Sequence, residues 1–115
     1  MPEREDLEVL SLTTTVGSLA HAEALAARLL EASLVACVQI EPGLQSHYRW
    51  EGRLCQEPEV RLTLKTLPEA QAAVEALLVE HHPYDLPQVL SCRMQASTAY
   101  AQWVRDEVRL PAAPD

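Results

Sequence analysis

A long two-stranded arm constrains this chain more than any other feature. Val35 to Trp50 reads Val-Ala-Cys-Val-Gln-Ile, Glu-Pro-Gly, Leu-Gln-Ser-His-Tyr-Arg-Trp; Glu51-Gly52 turns it, and Arg53 to Thr66 brings it back. Both arms are rich in β-branched and aromatic residues, and glycine accepts the positive φ that a tight hairpin turn demands. On the return arm Val60, Leu62 and Leu64 alternate with Arg61, Thr63 and Lys65, the period of a strand with one buried face. At ~3.3 Å per residue a straight Val35–Glu51 strand covers roughly 55 Å, whereas a compact domain of this size has a diameter on the order of 35 Å. The hairpin must therefore bend or overshoot. Glu41-Pro42-Gly43 is the place for a bend or bulge, because proline donates no ladder hydrogen bond and glycine relaxes the backbone. Beyond it, Tyr48 and Trp50 pass the core that their own chain can provide. Exposed aromatics on an unpaired arm invite aggregation unless another surface covers them. A neighbouring subunit is expected there; a bent hairpin folded onto its own helices is the alternative.

The rest of the chain fits one domain. Its 115 residues bury enough surface for a real core. Nine basic against 17 acidic residues give a net charge of −8, which repels phosphate backbones and anionic membrane surfaces and attracts cations. Neither nucleic acid nor membrane is expected as a partner. Cys37, Cys55 and Cys92 are odd in number and share no close spacing, which argues against a disulfide framework or a structural zinc site. No apolar run approaches the ~20 residues of a membrane span, and residues 1–8 are acidic rather than signal-like. A soluble, cytoplasmic protein is expected.

Read in order, residues 1–6 form a disordered acidic tail and Leu7–Thr15 a first strand. Gly17-Ser18 breaks it, with Ser18 as N-cap of a helix from Leu19 to Ser33 whose apolar stripe is Ala22, Leu25, Ala26 and Leu29. After the hairpin, Thr66-Leu67-Pro68-Glu69 has the form of a capping box, opening a helix over about Leu67–Glu80 with Ala70, Ala73, Val74, Leu77 and Leu78 facing in. Residues 81–87 are a proline-stiffened loop, Val89–Met94 a fourth strand, and Ser97 or Thr98 caps a last helix carrying Tyr100, Trp103, Val104 and Val108. The domain spans 7–110, with 111–115 a tail. The order β-α-β-β-α-β-α contains the split βαβ pattern of ferredoxin-like α+β sandwiches, an antiparallel sheet with helices on one face.

Three places could carry chemistry. His81 and His82 adjoin at a helix end; imidazole suits copper, zinc and nickel, while the bland role is a histidine meeting the helix dipole. The hairpin tip and the Pro-Tyr-Asp loop bring Arg49, Glu59, Lys65 and Asp85 into consideration as a polar cleft between subunits, walled by Tyr48, Trp50 and Tyr84; interface salt bridges and packing aromatics are the alternative. Cys37, within a strand, reads as a small buried hydrophobe unless exposed beside a base. No glycine-rich phosphate loop, Gly-x-Ser-x-Gly elbow or His-Glu-x-x-His pattern is present, so the chain is not expected to be an enzyme.

Val35-Ala36-Cys37-Val38, Tyr48-Arg49-Trp50-Glu51-Gly52, Leu64-Lys65-Thr66 and His82-Pro83-Tyr84-Asp85-Leu86-Pro87 occur together and in this order. As a set, over about residues 8–109, they resemble the CutA divalent-cation tolerance family. Thr13-Thr14-Thr15 and Tyr100 with Trp103 also fit. The resemblance implies a ferredoxin-like subunit in a tight homotrimer whose long hairpins pair with neighbours, similar in architecture to the PII signalling proteins. It implies a part in tolerance of copper and other divalent metals, with Cu(II) binding, and signalling or protein anchoring as roles. It further implies metal ligands at His81 and His82, joined by a cysteine at the end of the first strand. Thr14 stands at that cysteine's position, and a hydroxyl is a far poorer soft ligand. The family's cleft corresponds to Cys37, Trp50, Glu59, Lys65, Tyr84 and Tyr100.

Three functions follow as expectations. The first is a trimeric PII-like binding or signalling module for divalent-metal tolerance, holding a small molecule or a partner segment in its subunit cleft, with Cu(II) or another divalent metal as its only cofactor. The second is a small trimeric enzyme using that cleft, with Lys65 or Tyr84 as acid–base groups and Arg49 binding an anionic substrate. The third is a purely structural trimer that anchors other proteins.

Overall fold

The computed structural model describes residues 7–111. The acidic tail expected over 1–6, and the end of the chain beyond Pro111, lie outside the described residues. The elements are β1 (Glu8–Val16), α1 (Leu19–Glu31), β2 (Cys37–Trp50), β3 (Arg53–Thr66), α2 (Gln71–His81), β4 (Leu90–Gln95) and α3 (Thr98–Glu107), with a 3₁₀ turn, Pro68–Ala70, leading into α2. The strands form one antiparallel sheet in the order β2-β3-β1-β4. This is a mixed α/β architecture of four antiparallel strands and three helices. No helix among the described residues is long and apolar enough to cross a membrane.

Period-two burial builds the core. Leu10, Leu12, Thr14 and Val16 of β1 and Val60, Leu62, Leu64 and Thr66 of β3 are all buried. They meet Ala22, Leu25 and Leu29 of α1, Val74 and Leu78 of α2, and Ala101 and Val104 of α3. Each helix supplies residues three or four apart, one stripe of a 3.6-residue period. Ser18 caps α1 by accepting from the His21 amide at 3.1 Å, and Ser97 caps α3 by accepting from the Tyr100 amide at 3.2 Å. Past α3, the Arg109 amide donates to the Ser33 carbonyl at 2.8 Å, and Arg105 donates to Glu69 at 2.9 Å. The last helix is thereby tied to the turn after α1 and to the 3₁₀ turn before α2.

Two local expectations are corrected. The capping box does not form. Thr66 is the last residue of β3, on its buried face, and its hydroxyl donates to the Leu34 carbonyl at 2.6 Å. Leu67 becomes the N-cap and the helix begins as a 3₁₀ turn with no side-chain cap. The first helix ends at Glu31 rather than Ser33, since Ser33 takes φ 56°.

The hairpin is paired from Cys37–Lys65 to Trp50–Arg53 with one interruption. Pro42 and Gly43, the latter at φ 87°, together oppose Val60, which is the expected bulge. One extra residue changes the parity of the strand. Before it, Cys37, Gln39 and Glu41 share a face with Lys65, Thr63 and Arg61; after it, Leu44, Ser46, Tyr48 and Trp50 share that face with Glu59, Glu57, Cys55 and Arg53. Tyr48 and Trp50 thus lie on the side of the sheet away from the α1–α2 layer. The arm overshoots as its length requires: the molecule extends 52 × 33 × 25 Å.

Glu51 and Gly52 both take left-handed φ, 50° and 77°, as a two-residue primed turn needs. Glutamate is poorly suited to that region, whereas asparagine enters it readily. Glu51→Asn is expected to stabilise the fold by up to about 1 kcal/mol, read as a higher denaturant midpoint; an unchanged or lower midpoint would contradict the turn geometry.

Candidate functional site

The loop after α2 is organised by one histidine. Pro83 forces the preceding residue out of helical geometry, so His82 ends α2 at φ −72°, ψ 137°. Its side chain turns under the end of β1 and is 9% exposed. Nε2 lies 2.9 Å from the Thr15 carbonyl and 3.0 Å from Thr14 Oγ1, and Nδ1 lies 3.1 Å from the Tyr84 amide nitrogen. These partners decide the tautomer. A carbonyl only accepts, so Nε2 carries the proton; a backbone amide only donates, so Nδ1 offers its lone pair. Burial lowers the His82 pKa, outweighing the Thr15 carbonyl.

Tyr84 continues the chain of contacts. Its ring sits 5.0 Å from that of His82, and its hydroxyl donates to Glu59 Oε2 at 2.8 Å. Burial, and then the bond to Glu59, push its pKa well up. Its hydroxyl is thereby committed as a donor to Glu59. Tyr48 is raised as well, by desolvation and by Glu57.

A second group lies at the other end of the sheet. Cys37 faces Lys65 across β2 and β3, and Lys65 Nζ donates to Gln39 Oε1 at 2.9 Å. Tyr100 stands beside Cys37, its pKa raised by burial and then by that thiol, with its ring 5.6 Å from Trp103. Cys37 is half-buried rather than fully enclosed.

The six expected cleft residues thus fall in three places: Cys37, Lys65 and Tyr100 together, Glu59 and Tyr84 together, and Trp50 at the tip opposite Arg53. Lys65 and Glu59 are separated by six residues of β3, about 20 Å of strand. One chain does not bring them into a single cleft. Arg49 pairs with Leu54 on the hairpin face opposite Tyr48 and Trp50, and Asp85 is exposed on its loop without an ion pair among the described residues. The pairing of Thr14 and Thr15 with His82, and of Gln39 with Lys65, went unread in the sequence. The threonine run and the His-Pro step were the available signals for the first.

A copper site on His81, His82 and Thr14 does not fit these side chains. Both His82 nitrogens are spent on the protein, and Thr14 offers a hydroxyl already hydrogen-bonded to that ring. His81 stands apart in the last turn of α2, its Nε2 3.8 Å from a Glu80 oxygen. Among the described residues no three His, Cys, Asp or Glu side chains are placed to hold a metal ion.

Residues 10–107 match the family described as CutA1 divalent ion tolerance protein. The divalent-cation tolerance protein CutA of Citrobacter koseri is 38% identical over 103 residues, covering 89% of this chain and 90% of the relative. The chain belongs to the CutA1 family. Among solved members, CutA of Synechococcus elongatus superposes with a TM-score of 0.85 at 38% identity, covering 90% of this chain and 92% of that one. CutA1 of Oryza sativa gives 0.86 at 27% identity, covering 91% and 97%. A protein of Archaeoglobus fulgidus described as the periplasmic divalent cation tolerance protein CutA gives 0.84 at 30%, covering 88% and 99%.

The His82 contacts set a pH dependence. Its folded pKa lies below the unfolded value of ~6.5, so the unfolded chain binds more protons in between and stability rises with pH there. The contribution is complete above pH ~6.5 and is lost as pH falls through the lowered folded pKa. His82→Gln is expected to lower stability at pH 8 by about 1–3 kcal/mol through unpaired backbone groups and to flatten the decline between pH 7 and 5. Parallel slopes for both proteins in thermal melts would contradict this role.

Proposed function

We propose that this chain serves divalent-metal tolerance as a cytoplasmic, homotrimeric, PII-like binding and signalling module with ferredoxin-like topology. The strand order β2-β3-β1-β4, with α1 and α2 in the two crossovers, supports the topology. One observation carries the assembly: the sheet face away from the α1–α2 layer holds exposed apolar side chains at both ends. Tyr48 and Trp50 expose 42% and 44% of their surface, and Leu90 and Met94, paired across from Thr13 and Val9, expose 60% and 46%. Every residue of β4 is exposed although the strand is hydrogen-bonded to β1. An exposed arm, an open sheet face and free outer edges on β2 and β4 are surfaces that folded proteins cover. Arms reaching across to neighbouring copies cover them without leaving an end. In that arrangement the Glu59–Tyr84 end of one copy meets the Cys37–Lys65–Tyr100 end of another, which makes one cleft of the two separate groups. The cleft holds a small molecule or a partner segment.

Divalent cations, Cu(II) included, enter this reading as exchangeable solutes drawn by the net charge of −8, not as a resident centre on His81 and His82. No observation among the described residues favours the enzymatic alternative, and the Tyr84 hydroxyl is committed as a donor to Glu59. A purely anchoring trimer would be the same assembly with its cleft empty of small molecules.

Sedimentation at low micromolar concentration is expected to give a particle three times the mass of the 12.8 kDa chain; a lone chain would reject the assembly. Calorimetric titration with Cu²⁺ is expected to give one affinity for the wild type and for His81→Ala/His82→Gln. A loss of about tenfold or more in the double variant, the scale seen when metal-supporting groups are removed, would restore the paired-histidine site.

A further inference from the structure

The extra residue at Pro42-Gly43 stands at a particular rung of the sheet. It opposes Val60, and Val60 with Val16 is the last rung at which β1 lies alongside β3. Inside that rung three strands run side by side; outside it the arm is β2 and β3 alone. We propose that this bulge aims the arm, and that the direction it fixes closes the assembly at three copies. This rests on the arm-exchanged assembly above and names the element that sets its copy number.

A bulge bends the strand that carries it and increases the local twist. Beyond it, residues 44–50 form a lever about 23 Å long at ~3.3 Å per residue. Turning that lever by about 12° at its base carries the tip ~5 Å, the spacing of one strand from the next. The bend is braced on both sides. Just inside it, the Arg61 guanidinium donates to both oxygens of Glu41, at 3.1 and 3.2 Å. Just outside it, Glu59 accepts from the Tyr84 hydroxyl at 2.8 Å, which ties the first outer rung, Leu44–Glu59, to the loop after α2. The ring of Pro42 fixes its φ. Gly43 takes φ 87°, a region closed to most side chains. A Cβ at Gly43 would meet nothing within 4 Å among the described residues, so glycine serves there for its backbone conformation and not to make room. Arms that each reach the next copy make a head-to-tail contact. Such contacts close into a given ring at only one rotation per copy, and at any other they give a different ring or an open chain. That rotation follows from the direction in which the arm leaves its own core.

Deleting Gly43 separates the arm's direction from its side chains. Pro42 alone then opposes Val60, Glu41–Arg61 and Leu44–Glu59 both stay in register, and Tyr48 and Trp50 keep their partners and their face. In this variant, residual dipolar couplings of the arm amides, fitted in the frame of β1 and β3, are expected to show the arm turned from its wild-type direction. Sedimentation is expected to show the three-chain particle lost. An arm that has not turned, or a three-chain particle formed at the wild-type concentration, would overturn the proposal. Two variants of full length test the same backbone conformation should the shortened chain fail to fold. Asparagine enters positive φ and valine does not. Gly43→Asn is expected to assemble as the wild type does, and Gly43→Val to need about tenfold or more higher concentration; equal assembly of the two overturns the role of the bulge. Sedimentation of the wild type separates the two readings. Three wild-type chains together, with Gly43→Val assembling equally well, overturn the aiming role and leave the assembly standing. A lone wild-type chain overturns both.

Discussion

β3 is hydrogen-bonded on both sides, to β1 along Val60–Thr66 and to β2 along nearly its whole length, and every other feature depends on that double pairing. Its inner half is a core strand, with Val60, Leu62, Leu64 and Thr66 buried. Its outer half, Arg53 to Glu59, has only β2 beside it. A single strand therefore carries the chain from its most enclosed environment to its most exposed one. Alternation along the strand is rigid, so a residue's face at the tip is dictated by the register at the core. The bulge at Pro42-Gly43 is where that dictation changes for β2, and it decides which face receives Tyr48 and Trp50.

The same geometry explains why the polar residues divide as they do. Positions at the Lys65 end of β3 gather what α3 and the start of β2 bring, and positions at the Glu59 end gather what the loop after α2 brings. His82 is the anchor of that second group because its two nitrogens bind groups of opposite character, a carbonyl and an amide. Only the bond at Nδ1 requires the neutral ring; the Thr15 carbonyl favours the charged one, and burial outweighs it. The ring's occupation with the fold removes it from metal chemistry, and Thr14 in place of a thiol is consistent with that use.

Much of this was legible in the residues. Four strands and three helices, the bulge, the overshooting arm and the Ser18 and Ser97 caps are all local consequences of period, proline, glycine and small hydroxyl residues. The capping box at Thr66 misled because a tertiary acceptor, the Leu34 carbonyl, competed for the same hydroxyl. Arg49 misled because the parity change at the bulge cannot be counted from composition: it reversed which of Tyr48 and Arg49 lies with Glu57. His82 misled because an exposed and a buried histidine have the same letter.

The amino-acid order by itself determined the element types, the length of the arm and the family, since these rest on short-range periodicity and on motifs carried contiguously in the chain. Only the tertiary structure decided which ring nitrogen of His82 bears its proton, which of the two separate groups each polar residue joins, and that Lys65 bonds to the Gln39 amide. Apart from the Tyr84 amide two positions from His82, those outcomes depend on groups brought together from 25 to 68 positions apart, Tyr84 with Glu59 and His82 with Thr14 among them. Spacing along a chain constrains its neighbours over a few residues, whereas such distances in space are set by how the whole sheet closes over its helices.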